Sequence, residues 1–268
     1  MKQLEFFGNQ IQQILQQRYY RLWPYLKVHP RLSFVGRAIG IDDPRLDEVE
    51  DIIGLTMDLG FLSLVFIRPT IVDELISSLE GNGLKVGIWQ HLVSNEETKL
   101  SSLSVVGSLH LPPNYSIERV SVETHPHQLR KFQKLMQSCG VAPLPGYILR
   151  GQEIPTVAEM IINAQDEVMA TGVGIFRHNP GGFYGKAAHV GFLATESSQR
   201  GNGFARLLLA RIILASYEEY AAELVHTGVR SENIPSQRVC QNCGLEDSGM
   251  YCLGVTNPQI MKGAEFTR

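Results

Sequence analysis

One stretch constrains this chain more than any other. From Ala188 to Ile212 it reads strand, turn, helix. His189 to Thr195 is a short apolar run of strand length, Glu196 to Gln199 is polar and turn-like, and Arg200-Gly201-Asn202-Gly203 opens an apolar helix with Leu207, Leu208, Arg211 and Leu214 at helical spacing. Two glycines leave the backbone bare where the first amides of a helix have no partner and the positive end of its dipole points outward. That combination makes an anion site. The anion is not set by a P-loop, because Phe204-Ala205 follows where Lys-Ser/Thr is needed, nor by a dinucleotide fingerprint, because Arg206 stands where a small residue is needed.

A second block lies downstream. Glu223 to Arg230 reads as another strand, and a short helix after Asn233 runs through Ser236, Val239 and Cys240 to Gly244-Leu245. Read together, Arg200-x-x-Gly203-x-Ala205 and Asn233-x-x-Ser236-x-x-Val239-Cys240-x-x-x-Gly244-Leu245 resemble the phosphate-loop and last-helix signatures of the GNAT superfamily, the Gcn5-related N-acetyltransferases. The resemblance spans about residues 116–255 and is sharp over 188–245. Cys240 stands where the family often has Tyr.

The resemblance implies a fold and a chemistry. The fold it implies is α/β (α+β), a mixed, mostly antiparallel sheet flanked by helices over residues 113–268; residues 1–112 read from their own strand–helix–strand pattern as a smaller N-terminal α/β domain. The co-substrate is acetyl-CoA, and the acceptor is a small-molecule amine that attacks the thioester directly. The coenzyme is expected on Leu193, Ala194 and Thr195 of the strand, on Arg200, Gly201, Asn202, Gly203, Phe204, Ala205 and Arg206 of the loop, and at Asn233. Loop amides cradle the pyrophosphate, arginines add charge, and backbone groups of Leu193 and Thr195 bond the pantetheine arm. A backbone N–H near Leu193 stabilises the oxyanion.

Two side chains are candidates for proton transfer. Cys240 replaces the family's usual acid and either protonates the leaving thiolate or packs beside the coenzyme. His189 has a reference pKa suited to a base, its alternative being an ordinary hydrogen-bonded strand histidine. Glu159 and Tyr184 are weaker base candidates, and Phe132, Met136, Tyr147 and Leu149 are expected near the acceptor pocket. Two rival functions stay open: a tandem-GNAT acyl or aminoacyl transferase whose N-terminal half completes the site, and a catalytically silent acetyl-CoA sensor.

Composition narrows the classes further. A net charge of -3 favours neither nucleic acid nor an anionic membrane as partner. No apolar run is long enough to span a membrane and the N-terminus lacks a signal-peptide core, so a cytoplasmic location is expected, and a homodimer is left open. Cysteines 139, 240, 243 and 252 are scattered as in a reducing compartment; Cys240-x-x-Cys243 alone is no metal site, and no metal is expected.

The N-terminal half carries no chemical motif, and residues 1–110 are not expected to bind the coenzyme. A helix over 9–26 stops near Pro24, a helix spans 43–60, and strands at 61–68 and 84–92 flank a helix opened by Pro69. A loop is expected over 94–102, a strand over 103–111 and a boundary at Pro112-Pro113-Asn114. Further on, a strand (116–122), a helix (125–139) capped by His125, a loop-rich stretch (140–155) and two strands (157–164 and 167–177) lead to the central strand.

Overall fold

The computed structural model describes residues 4–262. Helix α1 (Gln10–Leu26) starts at Asn9, whose side chain accepts from the Gln12 amide while Gln12 accepts from the Asn9 amide. This reciprocal box satisfies two of the helix's orphan donors. The helix runs past the expected stop at Pro24, which lies inside its last turn and costs it a single N–H donor two residues before its end.

Strands β1 (Leu32–Phe34) and β2 (Ile39–Asp42) follow, then a 3₁₀ turn (Leu46–Glu48) and α2 (Val49–Leu59), ended by Gly60 at φ 91°. Next come β3 (Phe61–Ile67), α3 (Pro69–Gly81) and β4 (Lys85–Ser94). The expected loop and strand over 94–111 are instead one helix, α4 (Thr98–Ser108). Its inward face is partly polar, which hid the helical period. Thr98 Oγ1 donates to the Gly244 carbonyl at 2.6 Å and Ser102 Oγ to the Cys243 carbonyl at 3.2 Å.

The second half comprises β5 (Tyr115–Arg119), α5 (Pro126–Ser138), a short α6 (Gly146–Leu149), β6 (Thr156–Asn163), β7 (Val168–Ile175) and β8 (Ala187–Thr195). A 3₁₀ turn (Ser197–Gln199) leads to α7 (Phe204–Tyr220), β9 (Leu224–Val229), α8 (Ile234–Asn242) and β10 (Leu245–Thr256). His125 caps α5 as expected, accepting from the His127 amide at 3.2 Å.

All ten strands form one mixed sheet in the order β1-β2-β3-β10-β4-β9-β8-β7-β6-β5, mostly antiparallel and flanked by helices. The two halves share it. The longest strand, β10, lies antiparallel between β3 and β4 of the first half, and β4 pairs in turn with β9. Chain connectivity passes from one half to the other in the loop between α4 and β5, while the sheet is continuous. Helix α7 lies against β7, where Gly172 and Gly174 admit it: a Cβ on either would meet Ile212 at 2.8 or 2.6 Å. No helix among the described residues is long and apolar enough to cross a membrane.

Candidate functional site

The site is made by two parallel strands that part. β8 and β9 pair only from Ala187↔Leu224 to His189↔His226. Beyond that, β9 is held by β4, and β8 continues to Thr195 paired on its β7 side alone. The ladder to β7 shifts register between the pairs Thr171↔Ala194 and Val173↔Gly191, and there Gly191 has φ 143° and Phe192 φ 49°. This bulge re-aims Phe192 and Leu193 and takes local amides out of the ladder. The widening gap is a cavity of about 290 Å³. Its walls come from both halves: Val65 and Trp89 from the first, His189, Leu193 and Cys240 from the second.

The glycine-opened loop sits at the C-terminal end of β8. Gly201 and Gly203 have φ 87° and 80°, the left-handed region that side chains resist. Gly203 is the N-cap of α7. The amides of Gly201 and of residues 203–206 donate to no backbone acceptor outside the helix's own ladder among the described residues. Asn202 is exposed and reaches Gln199 at 3.3 Å. Phe204 is buried beside Tyr115 with ring centroids 5.4 Å apart, so it anchors the loop from below while Ala205 starts the helix. Arg206 is half-buried, its Nε without a partner among the described residues, and Arg200 is exposed.

The remaining candidates sort by contact. Leu193 lines the cavity, whereas Ala194 is buried on the opposite face of β8. The Thr195 carbonyl accepts from Cys139 Sγ at 3.4 Å and faces Arg200 Nε at 3.5 Å, so the freer strand group is at Leu193. Asn233 lines the cavity and caps α8, accepting from the Ser236 amide at 3.2 Å. Cys240 is buried in the wall, and burial pushes its thiol up to about 12.

His189 faces the cavity. Its Nδ1 has no partner among the described residues, and burial, then the charge of Arg177, lowers its pKa well below the ordinary value. It is neutral at physiological pH with one bare ring nitrogen.

Other candidates lie elsewhere. Glu159 is fully buried and held by Arg211 at 2.8 Å and Arg119 at 3.0 Å, so its role is to tie β5 and α7 to β6. Glu159→Gln therefore lowers stability by about 2–3 kcal/mol, somewhat below the usual cost of breaking a buried pair because both arginines can reach water. Chemical denaturation measures the loss. Tyr184 stacks on Phe66, centroids 3.6 Å apart, outside the cavity. Phe132, Met136, Tyr147 and Leu149 are all core residues, and it is Cys139, Gly140 and Val141 that reach the cavity from that side.

One feature was not legible in the sequence. Beneath the cavity, buried groups from five segments form a chain of hydrogen bonds. Asp42 Oδ2 lies 2.7 Å from His178 Nδ1, His178 Nε2 lies 2.8 Å from His226 Nε2, His226 Nδ1 lies 3.1 Å from His91 Nε2, and His91 Nδ1 lies 2.9 Å from Ser248 Oγ. With Asp42 as a carboxylate, His178 must donate to it, so His226 donates from Nε2 and His91 from Nε2. One tautomer per neutral ring satisfies the links from Asp42 to His91, and the single Ser248 hydroxyl proton is shared between His91 Nδ1 and the His91 carbonyl, also 2.9 Å away. Burial lowers the pKa of all three, His91 to about 4. The ring of His189 stands edge-on to His226 with centroids 5.0 Å apart. Among the described residues no three His, Cys, Asp or Glu are grouped to hold a metal ion.

Comparison with known proteins agrees with this architecture. Residues 124–245 match the family model described as Acetyltransferase (GNAT) family. Among solved structures, a GCN5-related N-acetyltransferase from Kribbella flavida is similar with TM-score 0.53 and 12% identity, over 91% of this chain and 96% of that one. A tandem GNAT protein from the clavulanic acid biosynthesis pathway is similar with TM-score 0.53 and 12% identity, over 82% and 74%. A Drosophila protein is similar with TM-score 0.57 and 9% identity, over 92% and 89%. No curated protein matches in sequence. Residues 124–245 of this chain form a domain of the GNAT family.

Proposed function

We propose that the protein is an acetyl-CoA-dependent N-acetyltransferase acting on a small-molecule amine, with the N-terminal half completing the acceptor end of the site. The observation that carries this is the parting of β8 and β9 beside a glycine-opened helix. The bare loop amides and the bulge at Gly191-Phe192 fit a ligand with an anionic end and an amide-rich arm. Acetyl-CoA, when bound there, supplies a thioester carbonyl open to attack. The chain's residues then have separate tasks. Amides of Gly201 and residues 203–206 hold the pyrophosphate, with Arg200 and Arg206 nearby. Leu193 offers a strand amide to the arm and to the developing oxyanion. His189, neutral in the cavity wall, accepts the proton the amine loses as its nitrogen bonds to the acyl carbon. The carbon–sulfur bond breaks and coenzyme A leaves as its thiolate, which takes a proton from solvent.

Burial of Cys240 favours packing over acid catalysis. A thiol pushed up to about 12 is a poor donor to a thiolate whose ordinary pKa is about 8.5. Cys240→Ala is therefore expected to change kcat less than about threefold, against the roughly hundred- to ten-thousandfold span of lost proton transfer. Thiol release across pH checks this, and a larger loss restores Cys240 as the acid.

The tandem reading has its own support, since Val65 and Trp89 of the first half line the cavity. Calorimetry with coenzyme A, then thiol release with a broad panel of amines and both acetyl and aminoacyl donors, tests the function. Binding with acetyl turnover supports it, binding without any turnover favours a sensor, and no binding refutes it.

A further inference from the structure

Three glycines seat one tryptophan against the sheet where the cavity meets the first half. Gly87 on β4 is the cross-strand partner of Gly254 on β10, and Gly228 on β9 is the partner of His91. All three therefore face the same side of the sheet as Trp89. A Cβ would stand 2.8 Å from the indole at Gly87, 3.1 Å at Gly254, and 3.2 Å from Trp89 Cβ at Gly228. Glycine inside a strand weakens it and marks a close approach. Here glycines on three adjacent strands make room for one side chain. The indole lies along the sheet, half-buried, as part of the cavity wall.

The rest of this end is apolar, and its charges are already matched. Phe61, Val65 and Cys252 line it from β3 and β10, and Val35 and Ala38 from the turn between β1 and β2. No Asp or Glu lines the cavity among the described residues. Of the arginines that do, Arg177 donates to Ser33 Oγ at 3.1 Å and feels the Asp42 carboxylate, and Arg37 donates to the Ala142 carbonyl. Arg230 pairs with Glu232 at 3.5 Å and lies over the Trp89 ring, 4.9 Å from its centroid. The aromatic face that could hold a ligand's cation thus already holds one. A charged group on a ligand would lose its water here and find no uncommitted partner. An uncharged ring needs only apolar surface, which Trp89, Phe61 and Val65 supply.

Resting on the acyltransferase reading above, we propose that the acceptor is a monoamine whose body is an uncharged apolar ring, seated against Trp89, Phe61 and Val65 with its nitrogen toward His189. Trp89 is the residue that sets this preference. The wall turns away acceptors with a second charge of either sign, polyamines and amino acids alike. The glycines behind the indole belong to the same device. Gly254→Ala puts a methyl 3.1 Å from the indole and 3.3 Å from Phe61 Cε2, which pushes both rings into the acceptor's space.

The test uses the full chain and matched amines, with thiol release from acetyl-CoA as the readout. Phenethylamine against ethylamine isolates the ring, phenethylamine against phenylalanine isolates a carboxylate, and butylamine against 1,4-diaminobutane isolates a second cation. The first member of each pair is expected to lead by at least about tenfold in kcat/KM, the low end of what a fitted apolar pocket gives. Trp89→Leu is expected to bring the ring pair to within about threefold while coenzyme A affinity stays as in wild type. If Trp89→Leu does not fold, Gly254→Ala is expected to lower the same preference. Binding is read apart from turnover by tryptophan fluorescence. The chain has two tryptophans, and Trp23 is buried on Phe34 with centroids 4.8 Å apart, so Trp23→Phe leaves Trp89 as the sole indole. Benzamide, a ring without a reactive amine, is expected to change its emission saturably in the coenzyme A-bound protein, and spermidine is not. Should Trp23→Phe not fold, the difference between wild type and Trp89→Leu gives the same signal. Equal rates within the ring pair, a lead for phenylalanine or the diamine, or no response to benzamide overturns the proposal. So does a preference for phenylacetyl-CoA over acetyl-CoA on ethylamine, which assigns the ring to the acyl group. Coenzyme A binding stands or falls separately: its absence in wild type refutes the acyltransferase reading, whereas binding with turnover of ringless amines refutes only the acceptor class.

Discussion

Gly203→Val is expected to weaken coenzyme A binding at least about a hundredfold. The residue sits at φ 80° as the N-cap of α7, a conformation that costs a side chain about 1–2 kcal/mol and a β-branched one at least as much. A Cβ there would also stand 3.2 Å from both Leu109 methyls, so the loop must turn away from α4 as well as untwist. Either movement swings the amides that open the helix. Losing two charge-assisted hydrogen bonds, at about 1.5–3 kcal/mol each, gives the stated factor or more. Because the residue's surroundings are a loop and one leucine tip, the protein remains folded, which near-ultraviolet circular dichroism checks. Gly201→Ala is the milder companion: its Cβ meets nothing within 4 Å, so only its φ of 87° opposes it. Affinity in a folded Gly203→Val protein equal to wild type removes this loop from the binding site.

Acidification is expected to destabilise the protein well before its carboxylates titrate. His91, His189 and His226 are held neutral in the folded chain, with pKa values pushed below the ordinary 6.5 by burial first and by their charged neighbours second. Below pH 6.5 the unfolded chain binds protons that the folded chain refuses. Stability is thus fully present above that pH and is lost as pH falls toward the folded values, about 4 for His91. His91 alone accounts for about 2 kcal/mol between pH 7 and pH 5, and His189 and His226 act in the same direction. Urea unfolding at pH 7, 6 and 5 should show the midpoint falling at each step, and His226→Gln should flatten the trend. Equal stability at pH 7 and pH 5 contradicts a neutral histidine chain.

How much of this was legible beforehand follows from what is local. The strand–loop–helix from Ala187 to Tyr220 is encoded by neighbours: an apolar run, two glycines and a periodic helix. The caps at His125 and Asn233 are local too. Where burial comes from distant segments, the local signal misleads. The inward face of α4 is built from Thr98 and Ser102, whose hydroxyls are satisfied by the end of α8, far away in sequence. After Leu245, β10 runs through Glu246, Asp247, Ser248 and Gly249 and becomes apolar only later, because its second half is buried between two strands of the first half. The histidine chain joins Asp42, His91, His178, His226 and Ser248, which no spacing connects. His189 stands out in the sequence, but its surroundings do not. Of the three arginines at the cavity's end, Arg37 and Arg177 lie in irregular segments with no motif to mark them.

Because the parted strands and the loop at α7 together define the proposed coenzyme site, a crystal structure of the full chain with coenzyme A tests the functional reading most directly. The expected result has the pyrophosphate on the amides of Gly201 and residues 203–206, the pantetheine arm beside Leu193 between β8 and β9, and the thiol pointing toward His189 and Arg177. Coenzyme A seated against the first half alone, or full-occupancy soaks that leave the gap between β8 and β9 empty, would contradict it.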